Sequence, residues 1–240
     1  MPGHDTRMKT ILSPTGITPT ARPGTVRSLL AATVAAAALA LAVPAAPARA
    51  APAASEVART PEVAADLARV EAYLNGIGTL RSRFLQVADD GSSVKGTFAL
   101  ARPGRMRIDY DPPVGNFIVA DGRFVYFWDA ELKQQSNAPI GSTLADFLLR
   151  PQISLSGDVT VTEVAHDGGV LEVTLAQTKD PALGRLTLVF EERPFALRKW
   201  RVLDAQGLTT EISLLSPETG VELKDEQFFF RDPTRRRERD

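Results

Sequence analysis

Val63, Leu67, Val70 and Leu74 recur at helical spacing and share one face, while Asp66, Arg69 and Glu71 fall elsewhere. The spacing predicts an amphipathic helix of about four turns. Thr60 is placed to cap it, Pro61 suits the first helical position with its fixed φ, Glu62 complements the positive helix end, and Asn75-Gly76 supplies the stop. Beyond Thr79 the period changes to alternation. Strands are expected at 80–87, 94–101, 105–110, 116–120, 123–128, 132–136, 158–165, 170–177, 185–190, 196–203 and 208–215. Asp90-Gly91, Asp121-Gly122, Asp167-Gly168-Gly169 and Gln206-Gly207 supply the residues that tight antiparallel hairpins need. A short second helix is expected between strands, capped by Ser142 or Thr143, with Leu144, Phe147 and Leu148 on one side, and ended before Pro151.

In the strand at 105–110, Met106, Ile108 and Tyr110 form a dry face opposite Arg105, Arg107 and Asp109. Pairing through Asp121-Gly122 groups Phe117, Val119, Phe124, Tyr126 and Trp128 against Ile118, Ala120, Arg123, Val125 and Phe127. The second set contains a charge, so the first is expected to face inward. Half of the 16 aromatic residues lie between Phe84 and Trp128, with Phe98 on a neighbouring strand. Such a face either fills a core or lines an apolar cavity, and periodicity alone leaves both open, with a filled core favoured.

Composition narrows the classes. The chain has 240 residues, 44% hydrophobic and 24% charged, which suits a globular protein. Zero cysteines exclude a disulfide framework, a thiolate nucleophile, a Cys-ligated metal and a lipid attached through an N-terminal cysteine. A net charge of −1 argues against nucleic acid as the main partner. Arg7, Lys9, Arg22 and Arg27 precede an uncharged, alanine-rich apolar stretch from Leu29 to Val43, then Ala48-Arg49-Ala50. Residues 1–50 therefore read as an export signal cleaved near Ala50, since the apolar stretch is short of the roughly 20 residues a spanning helix needs. Past that point a lead-in without pattern is expected at 51–59, then one domain over 60–230 and a charged tail at 231–240.

Catalytic chemistry is sparse. After residue 50 there is one histidine, His166, beside a turn, where a lone ring is expected to be solvated rather than catalytic or metal-binding. Asp109, Asp111, Asp121 and Asp129 are the carboxylates from which a hydrolytic pair could be drawn, but Asp121 suits a hairpin turn and Asp109 an outward strand position. Phosphate-cradling, dinucleotide and G-x-S-x-G motifs are absent from the sequence. No catalytic residue, metal or cofactor is expected.

The run R-S-R-F-L-Q at 81–86, G-T-F-A-L-A-R-P-G-R-M-R-I-D-Y at 96–110, Pro112-Pro113, I-V-A-D-G-R-F-V-Y-F-W-D at 118–129 and E-L-K-Q-Q at 131–135 closely resembles the periplasmic outer-membrane lipoprotein carrier family, LolA-like. The resemblance is best over 60–150 and looser to Phe230. It implies a mainly β fold, an unclosed, strongly curved antiparallel barrel of about eleven strands with helices as a lid over an apolar cavity. By that resemblance Phe84, Phe98, Met106, Ile108, Tyr110, Phe117, Val119, Phe124, Tyr126 and Trp128 are expected to line the cavity. Val63, Leu67, Val70, Leu74, Leu144, Phe147 and Leu148 would form the lid, and Arg102, at the family's R-P motif, would gate it by bonding the lid. Family members often carry aromatics after R-P where this chain has Met106 and Ile108.

The implied partners are acylated lipoproteins, an inner-membrane lipoprotein-releasing ABC transporter, and an outer-membrane acceptor or the outer membrane itself, for a monomeric protein in the periplasm. The alternatives are a periplasmic sensor on the same scaffold, regulating a membrane signalling protein, and a secreted hydrolase using a carboxylate pair.

Overall fold

The computed structural model describes residues 56–141 and 144–234, apart from the side chains of residues 144 and 145. The expected export signal, residues 51–55 of the lead-in, the capping pair Ser142 and Thr143, the Leu144 side chain and residues 235–240 of the tail lie outside the described residues.

One helix, α1 (Pro61–Gly76), starts as its sequence requires: Thr60 Oγ1 accepts from the Val63 N–H at 3.3 Å and Pro61 opens the first turn. Eleven strands come after it: β1 (Thr79–Ala88), β2 (Ser93–Ala101), β3 (Arg105–Tyr110), β4 (Phe117–Asp121), β5 (Phe124–Asp129), β6 (Gln134–Pro139), β7 (Val159–Asp167), β8 (Val170–Gln177), β9 (Gly184–Glu192), β10 (Phe195–Asp204) and β11 (Thr209–Thr219). They form a single antiparallel sheet in the order β6-β5-β4-β3-β2-β1-β11-β10-β9-β8-β7. First and last strands meet in its middle, while β6 and β7 remain as unjoined edges, so the barrel is unclosed. The link from β6 to β7 carries a 3-10 helix, Leu144–Leu149, in place of the expected second helix. Among the described residues no helix is long and apolar enough to cross a membrane.

Boundaries shift where side chains reorganise the turns. The strand expected at 132–136 begins at Gln134, because Asp129 Oδ1 accepts from the Leu132 N–H at 2.8 Å and Lys133 is left-handed at φ 51°. Strand β7 runs on to Asp167, since Gly168 and Gly169, at φ 56° and 84°, make the two-residue loop by themselves. The described part of the lead-in is tied down: Val57 donates its N–H to Val161 O at 2.9 Å and packs on the core.

Three bulges bend the sheet. They lie between Arg81 and Arg83 opposite β11, between Leu197 and Lys199 in β10, and between Val161 and Glu163 in β7. The curved inner face carries Leu80 and Phe84 of β1, Phe98 and Leu100 of β2, and apolar residues of every strand from β3 to β5 and β7 to β11, with α1 laid across it through Leu67, Val70 and Leu74.

One contact on this face admits no side chain. A Cβ on Gly96 would lie 2.2 Å from Asp109 O and 2.6 Å from Phe84 Cε1. The Phe84 ring, edge-on to Tyr110 at 5.5 Å, therefore uses the space that glycine leaves between β2 and its neighbours. Gly96→Ala is expected to cost about 1–3 kcal/mol, or more because backbone is one of the obstacles, read as a lowered urea midpoint at unchanged slope.

Candidate functional site

Between α1, the 3-10 segment and the inner face lies a small apolar space. The lid side supplies Leu74, Ile77, Leu148 and Ile153; the sheet side supplies Leu80, Phe98, Leu100, Leu197 and Leu214; Arg102 stands at the margin. Its free volume is about 10 Å³, room for about one water-sized sphere. Lid and sheet are packed together here, so admitting anything larger requires them to part.

Arg102 is the polar fastener of this junction. It sits after the last residue of β2, and its own N–H donates to Gly78 O at 2.8 Å. Its guanidinium donates from Nη1 to Leu74 O at the end of α1, from Nε and Nη2 to Arg150 O at 3.2 and 2.8 Å, and from Nη2 to Pro151 O at 3.4 Å. A planar fork with five donors thus answers carbonyls at and just beyond the ends of two helices, of which Leu74 O also accepts the Ile77 N–H at 3.3 Å. Partial burial lowers its pKa, yet a guanidinium stays charged throughout the physiological range. Gly104, in the turn between β2 and β3, adds its N–H to Leu149 O at 2.8 Å.

The expected lining residues divide between two faces. Cross-strand partners place Phe98, Ile108, Ile118 and Phe127 in one row, and Leu100, Met106, Ala120 and Val125 in another, all on the inner face. Phe84, Phe98, Met106, Ile108 and Tyr110 therefore lie inside, and of these Phe98 borders the small space. Tyr110 is buried, its hydroxyl donates to Gln86 Oε1 at 3.0 Å, and burial pushes its pKa well up.

Phe117, Val119, Phe124, Tyr126 and Trp128 correct the expectation: they occupy the outer face. The five do share a face, but Arg123 does not decide which side turns in, because it stands exposed at the hairpin tip, free of either face. The small residue Ala120 and the branched Ile118 and Val125 fit under the lid side, whereas the larger rings lie outside beneath the C-terminal segment. Phe230 stacks on Tyr126 with ring centroids 5.2 Å apart, Phe117 stacks on Trp128 at 6.2 Å, and Phe228 packs on Ala99 and Ala101. Arg107 lies 5.2 Å over the Phe117 ring and donates to Gln227 O at 3.1 Å. The triplet Phe228-Phe229-Phe230 was the available signal that a second apolar face needed covering.

Of the lid residues, Leu67, Val70, Leu74 and Phe147 are buried, while Val63 and Leu148 pack on the core at its edge. Ile77, Leu80, Leu100, Ile153, Leu197 and Leu214 border the space without having been expected there. Alternation marks Leu80, Leu100, Leu197 and Leu214 as core, but only the closure of β1 on β11 brings strands from opposite ends of the chain to one spot.

His166 corrects a second expectation, for it is not simply solvated. Nε2 meets Asp66 Oδ2 of α1 and Nδ1 meets Glu192 Oε1 of β9, each at 2.8 Å. Hydrogen bonding to Asp66, and then to Glu192, raises its pKa. The carboxylates sit at opposite ring nitrogens and do not converge; among the described residues no group of three or more His, Cys, Asp or Glu could hold a metal ion. Stability from this contact is complete below the unfolded value of about 6.5 and is lost as pH rises through the raised folded value. The stability difference between the parent chain and His166→Asn, measured as thermal midpoints across that window, is therefore expected to shrink with rising pH.

The four carboxylates named for a hydrolytic pair are engaged separately. Asp109 binds Arg107, Asp111 binds Arg83, Asp121 accepts from the N–H groups of its own turn, and Asp129 from Leu132.

Comparison with known proteins finds similar sequences over most of the described domain. The outer-membrane lipoprotein carrier protein of Pseudomonas syringae pv. syringae is 30% identical over 180 residues, covering 70% of this chain and 84% of the relative. That of Methylococcus capsulatus is 29% identical over 189 residues, covering 75% and 88%. A LolA superfamily protein from Nitrosomonas europaea superposes at a TM-score of 0.39 with 10% identity, covering 68% of this chain and 97% of that one. The sequence model of the family "Outer membrane lipoprotein carrier protein LolA" matches residues 75–231, from the last turn of α1 through every strand to the C-terminal segment. A match of that extent, with Arg102 joining sheet to lid inside it, makes this chain a member of the LolA outer-membrane lipoprotein carrier family.

Proposed function

We propose that the chain is a periplasmic carrier that takes lipoproteins released from the inner membrane, shields their acyl chains between lid and sheet, and gives them up at the outer membrane. The observation that carries this reading is an apolar junction fastened at its margin by one arginine bonded to backbone carbonyls of both lid elements. Such a junction opens by exchanging hydrogen bonds, while its walls offer hydrocarbon to hydrocarbon. Each sequestered CH₂ avoids about 0.8 kcal/mol of exposure to water, so a lipidated protein crosses an aqueous space only in company of this kind. Passage on requires an acceptor still more favourable, and no covalent bond changes.

In this reading residues 1–50 direct export and are removed near Ala50, an ABC transporter in the inner membrane loads the carrier, and an outer-membrane acceptor or the membrane itself unloads it. Arg102 is the gate. Met106 and Ile108, flexible and aliphatic, belong to the wall that meets acyl chains once the lid lifts.

The test is native mass spectrometry of residues 51–240 purified from a periplasm that also makes a tagged triacylated lipoprotein. A one-to-one complex, lost when the acyl chains are removed, is the expected result. A carrier that stays empty, and whose interior also excludes an apolar dye, would refute it.

A further inference from the structure

Asn75 stands where a helix stop is expected, yet its side chain is spent on another segment. Nδ2 donates to Ile153 O at 2.8 Å and Oδ1 accepts from the Ile153 N–H at 2.9 Å, the two-bond exchange that a neighbouring strand would make. One turn earlier on the same face of α1, Glu71 Oε1 accepts from the Leu155 N–H at 2.6 Å. Residues 153 and 155 thereby point their N–H groups at the helix, while Ile153 and Leu155 bury their side chains in the core. Arg102 Nη2 also reaches Asn75 Oδ1, at 3.4 Å.

We propose that Asn75 and Glu71 staple α1 to the segment 149–155 so that the two lid elements move as one body, with Arg102 fastening that body to the sheet. This deepens the carrier reading and rests on it. The contacts divide accordingly. Those of Asn75 and Glu71 run from lid element to lid element, whereas those of Arg102 run from β2 to both. Losing the arginine frees the pair together; losing the staple lets either element part from the other. Asn75 is a positioning residue: it holds the Leu74 and Arg150 carbonyls at the spacing that one guanidinium can span.

The chain has no cysteine, so paired spin labels can be introduced without background. Ala72→Cys with Ser156→Cys measures one lid element against the other, and Ser92→Cys with Ser156→Cys measures the lid against the sheet; all three positions are exposed. Distances are read by pulsed electron resonance in three settings: the parent chain, Arg102→Leu, and the parent with a synthetic triacylated lipopeptide. Expected is a longer 92–156 distance in the second and third settings with the 72–156 distance unchanged. Adding Asn75→Ala to Arg102→Leu should raise the population with a separated 72–156 pair about 25-fold, since it removes two hydrogen bonds and each loss shifts an equilibrium by about fivefold. Retention of the Arg102→Leu thermal midpoint by that double variant separates this effect from general unfolding. A 72–156 distance that lengthens as much as 92–156 in Arg102→Leu overturns the staple. Failure of the lipopeptide to bind, seen by mass, overturns the carrier reading while the Arg102→Leu arm still reports on the staple.

Discussion

Replacing Arg102 with leucine is expected to leave a folded protein that fills with lipoprotein and hands it on slowly. On the carrier reading an acyl chain is housed only after lid and sheet separate, because the space between them is about 10 Å³. The bonds from Arg102 to Leu74, Arg150 and Pro151 exist only while they are together. They therefore favour the empty, closed arrangement, and in a loaded carrier they represent free energy recovered on release. Hydrogen bonds from a charged donor contribute about 1.5–3 kcal/mol each, discounted here because the guanidinium is only partly buried. A net loss of about 2 kcal/mol shifts the balance towards the loaded form by about 30-fold. Transfer of a tagged triacylated lipoprotein from purified carrier to outer-membrane vesicles should slow by a similar factor, with more lipoprotein copurifying. Arg102→Lys should resemble leucine more than arginine, because a single ammonium does not reach carbonyls on two elements at once. Transfer and occupancy equal to the parent's in Arg102→Leu would show that the lid is not held by this residue.

How much of the molecule the sequence disclosed depends on the range of each interaction. Helix α1, with its cap at Thr60, and the hairpins built on Asp121 and on Gly168-Gly169 were legible because the residues that make them are neighbours in the chain. The dry side of β3 was legible because a six-residue strand alternates cleanly. Which side of the β4–β5 hairpin faces in was not, since Ile118 and Phe117 are both large and apolar, and the choice depends on Phe230, a residue more than a hundred positions away. The same holds for the site. The arginine at the R-P motif stood out by resemblance, but Asn75 looked like a helix stop, because its partner Ile153 is 78 residues distant. Contacts made by β1 with β11, and by α1 with segment 149–155, are consequences of closure and carry no local signature.

The division of the aromatics between two faces has an optical consequence, for the chain holds two tryptophans and each reports on one face. Trp200 lies inside, its ring 5.6 Å from that of Phe98 at the edge of the apolar space. Trp128 lies outside, stacked on Phe117 and near Phe230. Phe228→Ala removes a ring that is 1% exposed and anchors the C-terminal segment between Ala99 and Ala101. Truncating a buried phenylalanine costs about 3–5 kcal/mol, of which the segment can escape part by detaching locally. Emission from Trp128, isolated by Trp200→Phe, should shift to the red in this variant, and amide exchange should rise over 221–230. Emission from Trp200, isolated by Trp128→Phe, should stay in place. A fatty acid brominated along its chain should do the reverse in the parent, quenching Trp200 by contact and sparing Trp128. Quenching of Trp128 ahead of Trp200 would mean that acyl chains meet the outer strip after all, and that the C-terminal segment, rather than α1, is the cover that moves aside.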